Sequence, residues 1–365
     1  MLDGQFVIDA TTHPYNLGDD NRTDLHSEWS RSRGVYRQHT VLSPPDDHLL
    51  SIEEMFTDFD HEAFAEALFA ESPVDFAFLH SLPRIFFNKR DIVEVERAAA
   101  LRDRYPNRFL LYANVNPLDT DGALRRLDYQ VKELGARALK MYPTSPHGAK
   151  LVGWRMDDVN IAFPVFERCL ELGITNVAIH ETVLLGAADL APFKVSDVEG
   201  AARAFPQINF QIVHAGWSYL EETSILMERY SNIIANLEMT FSLIVNQPRM
   251  FAQVLGRMLF LDLEDQIVFS DGCNIVHPRP GLLAFSDFKM PRDLVEEMGV
   301  PELSDEIKGK ILGGNAARLH GLDIEELAAG VAGDRFEVQK QSGLAPPWSG
   351  LRRRLAQPAS EGATI

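Results

Sequence analysis

The chain has 365 residues, with 35 Lys and Arg against 53 Asp and Glu and a formal charge of −18. That length fits two ordinary domains or one large α/β barrel, and 45% apolar with 24% charged residues is a globular composition, not that of a disordered chain. The acidic balance argues against a nucleic-acid partner, which calls for clustered Lys and Arg; the one dense basic run, Arg352-Arg353-Arg354, lies in the tail.

No run reaches the roughly eighteen apolar residues of a membrane span, and the opening MLDGQFVIDATTH has no basic leader segment, so neither membrane nor export is expected. Two cysteines, Cys169 and Cys273, are too few for a disulfide framework or a thiolate zinc site. A soluble, cytoplasmic protein is expected.

In chain order, short β-branched or aromatic runs predict strands at 6–10 (FVIDA), 74–80 (VDFAFLH), 109–115 (FLLYANV) and 137–142 (RALKMY). Four more follow at 175–180 (TNVAIH), 208–214 (INFQIVH), 233–238 (IIANLE) and 266–271 (QIVFSD). Helical stretches separate them from the second strand onward: DIVEVERAAALRDRY, DGALRRLDYQVKEL, FPVFERCLEL, VEGAARAF and YLEETSILMERY. Each repeats apolar residues at three- and four-residue steps, giving one face to lay on a sheet. The joints RYPNRFLLYA, AFPQINFQIV and RYSNIIANLE end a helix on an aromatic residue and restart as a strand after Pro or Ser.

Strands alternating with helices imply a parallel sheet, because parallel neighbours need crossovers. After the second strand the starts are 25 to 38 residues apart, the size of one βα unit. No GxGxxG or GxxxxGK[ST] loop points to an open dinucleotide-binding sheet, so the predicted fold is a (β/α)8 TIM barrel over 1–330. Residues 11–73 are a long insertion after the first strand and a candidate lid, since such loops sit on the catalytic face. His26, His39, His48 and His61 in it read as solvated or lid residues. The tail, 331–365, is left open between disorder and an arm on another subunit; the latter fits a homodimer.

At a barrel's mouth the C-terminal strand ends meet. There the sequence places Asp9 and His13, His80, Asn114 and Asn116, Lys140, His180-Glu181, His214, Glu238 and Asp271, with His277 beyond. Any single histidine is more simply a hydrogen-bonded core residue. Ionisable residues at seven of eight strand ends point jointly to a metal site, and imidazole and carboxylate without thiolate suit Zn, Mn or Fe. Cys273 reads as a packed thiol.

The pieces IDATTHPY, ALKMYP, AIHET, IVHAGW, IVFSDG and GGNAARLHGL, over residues 6–322 with the insertion left out, resemble the amidohydrolase superfamily, in its decarboxylase-like branch. That resemblance implies metal ligands at His13, His180, His214 and Asp271, the last as ligand or general base. It also meets a departure: the first-strand Asp-x-His-x-His stands as Asp9-Ala10-Thr11-Thr12-His13, with Thr11 in place of the first imidazole. Further candidates at the mouth are His80, Lys140, Glu181, Glu238 and His277, more than one tetrahedral ion needs.

The altered set resembles a second group within the branch, the TIM-barrel nonheme diiron monooxygenases of platensimycin-type diterpenoid biosynthesis, which act on coenzyme A thioesters. That resemblance implies two irons held by His13, His80, His180, His214, Glu238 and Asp271, hydroxylation of a C–H bond and an external electron donor. This is the favoured expectation. The alternative is a decarboxylase or hydrolase with one Zn or Mn, acting on a small carboxylate-bearing substrate; a barrel reduced to binding is the third. Asp271, Glu238 and Lys140 are the expected catalytic residues. Arg279, after the eighth strand, and Trp154, beside Arg155, are the expected substrate contacts.

Overall fold

A computed structural model describes residues 1–23, 34–84, 88–147, 150–184 and 188–357. Each predicted run meets a strand of one eight-stranded sheet, the first of which runs two residues past its predicted end: β1 (Ile8–Thr12), β2 (Phe76–Leu79), β3 (Phe109–Asn114), β4 (Ala138–Met141), β5 (Asn176–His180), β6 (Asn209–Val213), β7 (Ile233–Asn236) and β8 (Ile267–Val268). Neighbours pair in sequence order and in parallel, Ile8 opposite Phe76 and Val268 opposite Asn236. The ring is drawn shut between β8 and β1 by Ala10 N–H donating to the Phe269 carbonyl at 3.0 Å and Ser270 Oγ donating to the Thr11 carbonyl at 3.1 Å. The fold is a TIM barrel.

Several strands stop earlier than predicted. His80, His214, Glu238 and Asp271 lie just past them, where left-handed backbone at His214 (φ 63°), Met239 (φ 59°) and Gly272 (φ 75°) turns the chain. Such a conformation costs a non-glycine residue about 1–2 kcal/mol and is stored at a functional mouth more often than elsewhere.

Inside the barrel Ile8, Phe76, Phe78, Leu110, Tyr112 and Ile234 pack in layers, and Ala316 and Ala317 plug the bottom. The family-like GGNAARLHGL is therefore a floor and not a site. A Cβ on Gly313 would stand 2.2 Å from the Phe6 carbonyl oxygen, so only glycine fits there. Asn315 Nδ2 donates to the Glu264 and Ile267 carbonyls.

Two features are not in the sequence reading. Thr144–His147 and Lys150–Gly153 form an antiparallel hairpin after β4. The region left open as a disordered tail or subunit arm instead returns to its own barrel, with helices at Arg335–Gln341 and Ser349–Ala356. The last packs on helix His61–Phe69 of the insertion, and Trp348 is fully buried. Residues 358–365 lie outside the described ones. Among the described residues no helix is long and apolar enough to cross a membrane.

Candidate metal centre

Four of the expected ligands converge at the mouth. His13 follows β1, His180 closes β5, His214 follows β6 and Glu238 follows β7; all four line one cavity. His13 Nε2 is 3.1 Å from Glu238 Oε1, His214 Nε2 is 3.8 Å from Glu238 Oε2, and His214 Nε2 is 3.2 Å from His180 Nδ1.

The backbone fixes how these rings point. A carbonyl only accepts, so His13 Nδ1 donates to the His80 carbonyl (2.9 Å), His214 Nδ1 to the Glu238 carbonyl (3.1 Å) and His180 Nε2 to the Val183 carbonyl (2.9 Å). Burial pushes His214 down to about 4 and His180 well below the usual imidazole range, the latter helped by His214 itself. Both rings are then neutral, and two nitrogen lone pairs face one another across 3.2 Å beside an unpartnered Glu238 oxygen. Carbonyls that hold the far nitrogen are the outer contacts through which proteins orient metal-binding imidazoles. A cation among these donors would turn each repulsion into attraction, and a nitrogen and oxygen set without thiolate fits Zn, Mn or Fe. Among the described residues no three such groups are drawn around one point.

Charges around the centre are arranged in depth. Burial alone would raise Glu238, but His214, His13 and Lys140 override it and hold the carboxylate far below its ordinary value. Burial pushes Lys140 down to about 8 against the pull of Glu238 and Glu181, and its ammonium has no hydrogen-bond partner among the described residues. Burial carries Asp271 up to about 7, with Glu238 adding to it and Ser242 opposing. Its Oδ1 accepts from Ser242 Oγ and its Oδ2 has no partner. Asp9, also raised by burial and then by Asp271, accepts from Ser270 and from the Asp271 N–H.

Other expected residues lie elsewhere. His80 has its ring 3.9 Å from that of Tyr112 and 6.0 Å, edge to face, from that of His13, with both nitrogens unpartnered among the described residues. His277 Nε2 meets Glu71 at 3.3 Å, under the C-terminal extension. Trp154 is buried, its backbone N–H donating to the Pro143 carbonyl, and Arg155 pairs with Asp157. Arg279 donates to the Ala345 carbonyl. None of these four line the cavity. Asn114 braces Gln130 and the Lys140 carbonyl, and Cys273 is a buried free thiol. His39, read as solvated, is fully buried: Nδ1 donates to the Ile275 carbonyl and Nε2 accepts from Leu50 N–H. His26 lies outside the described residues.

The cavity above the donors is small, about 60 Å3. Leu17, Val35, Leu82, Ile92, Val183, Leu184 and Ile275 make its apolar wall, and Val35 and Gln38 bring the insertion over it as a roof. Sequence reasoning did not find Tyr15 and Tyr142, which stack on His13 and His180 at 5.2 and 5.3 Å. The aromatic residue two places after His13 was the only available signal.

A family model described as amidohydrolase matches residues 8–322. Among solved structures, an uncharacterised TIM-barrel protein from Bordetella bronchiseptica shares 19% identity at a TM-score of 0.58, covering 86% of this chain and 98% of its own. A 2,6-dihydroxybenzoate decarboxylase from Rhizobium shares 14% at 0.55, with 87% and 99% covered. A dihydroxybenzoic acid decarboxylase from Polaromonas, with bound manganese and 2-nitroresorcinol, shares 15% at 0.55, with 88% and 99% covered. At these identities the likeness is one of fold. No curated protein matches the chain.

Proposed function

The chain belongs to the amidohydrolase family, and from that premise we propose that it is a one-metal enzyme that decarboxylates a small acid with an apolar body. The observation that carries this reading is the pair of imidazole lone pairs facing each other at 3.2 Å beside Glu238, at the floor of an apolar cavity. His13, His180, His214 and Glu238 would hold the ion, with Zn or Mn suited to the set. A bound divalent ion supplies a Lewis acid for negative charge on substrate oxygen.

The chain's own residues do the rest. The apolar wall takes the substrate body and excludes water. Lys140 adds a positive charge near Glu238, after His214 and His13. When the bond to the carboxyl carbon breaks, the remaining carbon needs a proton, which Asp271, with one oxygen held by Ser242 and the other unpartnered, would hold. That two fold neighbours bear the names of aromatic-acid decarboxylases, one with manganese, supports this chemistry over hydrolysis. The two-iron monooxygenase expected from Thr11 has less support: His80 packs on Tyr112 and does not line the cavity, and Asp271 is tied to Ser242 beside Asp9.

Metal content of protein purified without added metal or chelator tests the reading, followed by CO2 release from a panel of hydroxybenzoic acids. About one Zn or Mn per chain and CO2 release are expected. Two irons per chain with oxygen uptake, or no metal and no thermal stabilisation by Zn, Mn or Fe, would overturn it.

A further inference from the structure

Each polar side chain that lines the cavity can be accounted for. The three imidazoles and Glu238 are the donors described above, and Tyr142 Oη donates to the Ser81 carbonyl at 2.9 Å. That leaves the Gln38 amide on the half-buried roof helix Tyr36–Leu42 and the hydroxyl of Tyr15, neither with a hydrogen-bond partner among the described residues. No lysine or arginine lines the cavity among the described residues.

Tyr15 is held for a task. Its ring lies parallel to His13, within 5°. Its N–H donates to the His13 carbonyl at 2.9 Å and its carbonyl accepts from Phe59 N–H at 3.0 Å. It is 5% exposed, so what reaches its hydroxyl is the cavity and not bulk water.

We propose that Tyr15 is a catalytic residue, its hydroxyl donating a hydrogen bond to an oxygen of the substrate while that substrate's oxyanion is seated over His13, His180, His214 and Glu238. The inference rests on the one-metal reading above.

The test uses the full chain loaded with Co2+, whose visible absorption reports ligands entering the coordination sphere. Benzoate presents oxygens to the centre and imidazole presents none. Tyr15→Phe keeps the ring and its stack on His13. A hydrogen bond to a charged group contributes about 1.5–3 kcal/mol, so Tyr15→Phe should weaken benzoate on the order of 10- to 100-fold and leave imidazole unchanged. Equal weakening of both probes would mean a structural role, and no weakening of either would mean that the hydroxyl is idle; both overturn the inference. A wild type that takes up no Co2+ overturns the one-metal reading and this inference with it, and the cobalt titration reads that separately.

Discussion

Removing the Glu71 carboxylate should release the C-terminal helix and with it the insertion that supports the cavity roof. Glu71 is fully buried and accepts from Trp348 N–H (2.6 Å), Gly350 N–H (2.8 Å) and Ser349 Oγ (2.9 Å), with His277 Nε2 at 3.3 Å. It thereby places a negative charge at the start of helix Ser349–Ala356. The same segment grips residues 46–60: Trp348 Nε1 donates to the His48 carbonyl, Arg352 pairs with Glu54 and Arg354 with Asp60. Glu71→Ala leaves two buried amides without acceptors, at about 1–3 kcal/mol each, and removes the helix-end charge, at about 0.3–1 kcal/mol. A loss of about 4 kcal/mol is expected, measured as the shift of the urea midpoint. Glu71→Gln keeps one acceptor but turns an amide N–H toward donors, and should lose about half as much.

The pH dependence has a definite sign. Burial alone would raise Glu71, but hydrogen bonds from His277, Gly350 and Ser349 and the His277 charge hold it below the usual value. Its contribution is therefore complete above the unfolded carboxyl pKa of about 4.3 and fades as pH falls through the lower folded one. The gap between wild type and Glu71→Ala should narrow below about pH 4. Amide exchange should quicken in 345–356 and 46–60 before the barrel strands. A loss under about 1 kcal/mol, or exchange that quickens evenly over the chain, would refute the argument.

Gly272 has φ 75°, and a Cβ there would stand 3.0 Å from Glu238 Cγ. Gly272→Ala should weaken metal binding about tenfold or more, while Gly333→Ala, with φ 73° and nothing within 4 Å, bears similar backbone strain of about 1–2 kcal/mol and leaves binding alone. Equal affinities by competition with a chelator would show that Gly272 does not set Glu238. Thr11→Val should lower stability by about 1 kcal/mol and loosen the metal, with Thr11→Ser restoring both; a valine variant that binds metal like wild type would show Thr11 to be inert. Both nitrogens of His39 are satisfied only in the neutral ring, and burial lowers its pKa. The unfolded chain therefore takes the proton first, and stability falls as pH drops through about 6.5. His39→Gln should flatten that fall between about pH 6.5 and 5 in urea titrations; an unchanged slope would exclude His39 as its source.

The barrel was legible because its strands are buried on both faces and read as short continuous apolar runs between amphipathic helices. The hairpin was not, since TSPHGAKLVG holds Pro and Gly and has no clear alternation. The fate of the tail depended on contacts such as Trp348 with Glu71, 277 residues apart, which no local pattern encodes. At the mouth, the residue types were legible and their grouping only in part. His13, His180, His214 and Glu238 meet, while His80 ends an equivalent strand but turns to Tyr112. Strand-end position fixes where a side chain starts; the left-handed turns that follow fix where it goes.

Thr11 shows what the altered first strand accomplishes. Its Oγ1 donates to the Ala10 carbonyl at 2.7 Å and accepts from Asn236 Nδ2 at 2.9 Å. Asn236 Oδ1 in turn accepts the Glu238 N–H at 3.2 Å. The position that departs from an imidazole therefore braces, through one amide, the backbone that carries the carboxylate among the donors. An imidazole at residue 11 could not keep this chain of hydroxyl and amide bonds in a space where Thr11, Asn236 and Gln211 are all fully buried. Thr11 therefore reads as a missing ligand in the sequence and as a support for the Glu238 backbone in the fold.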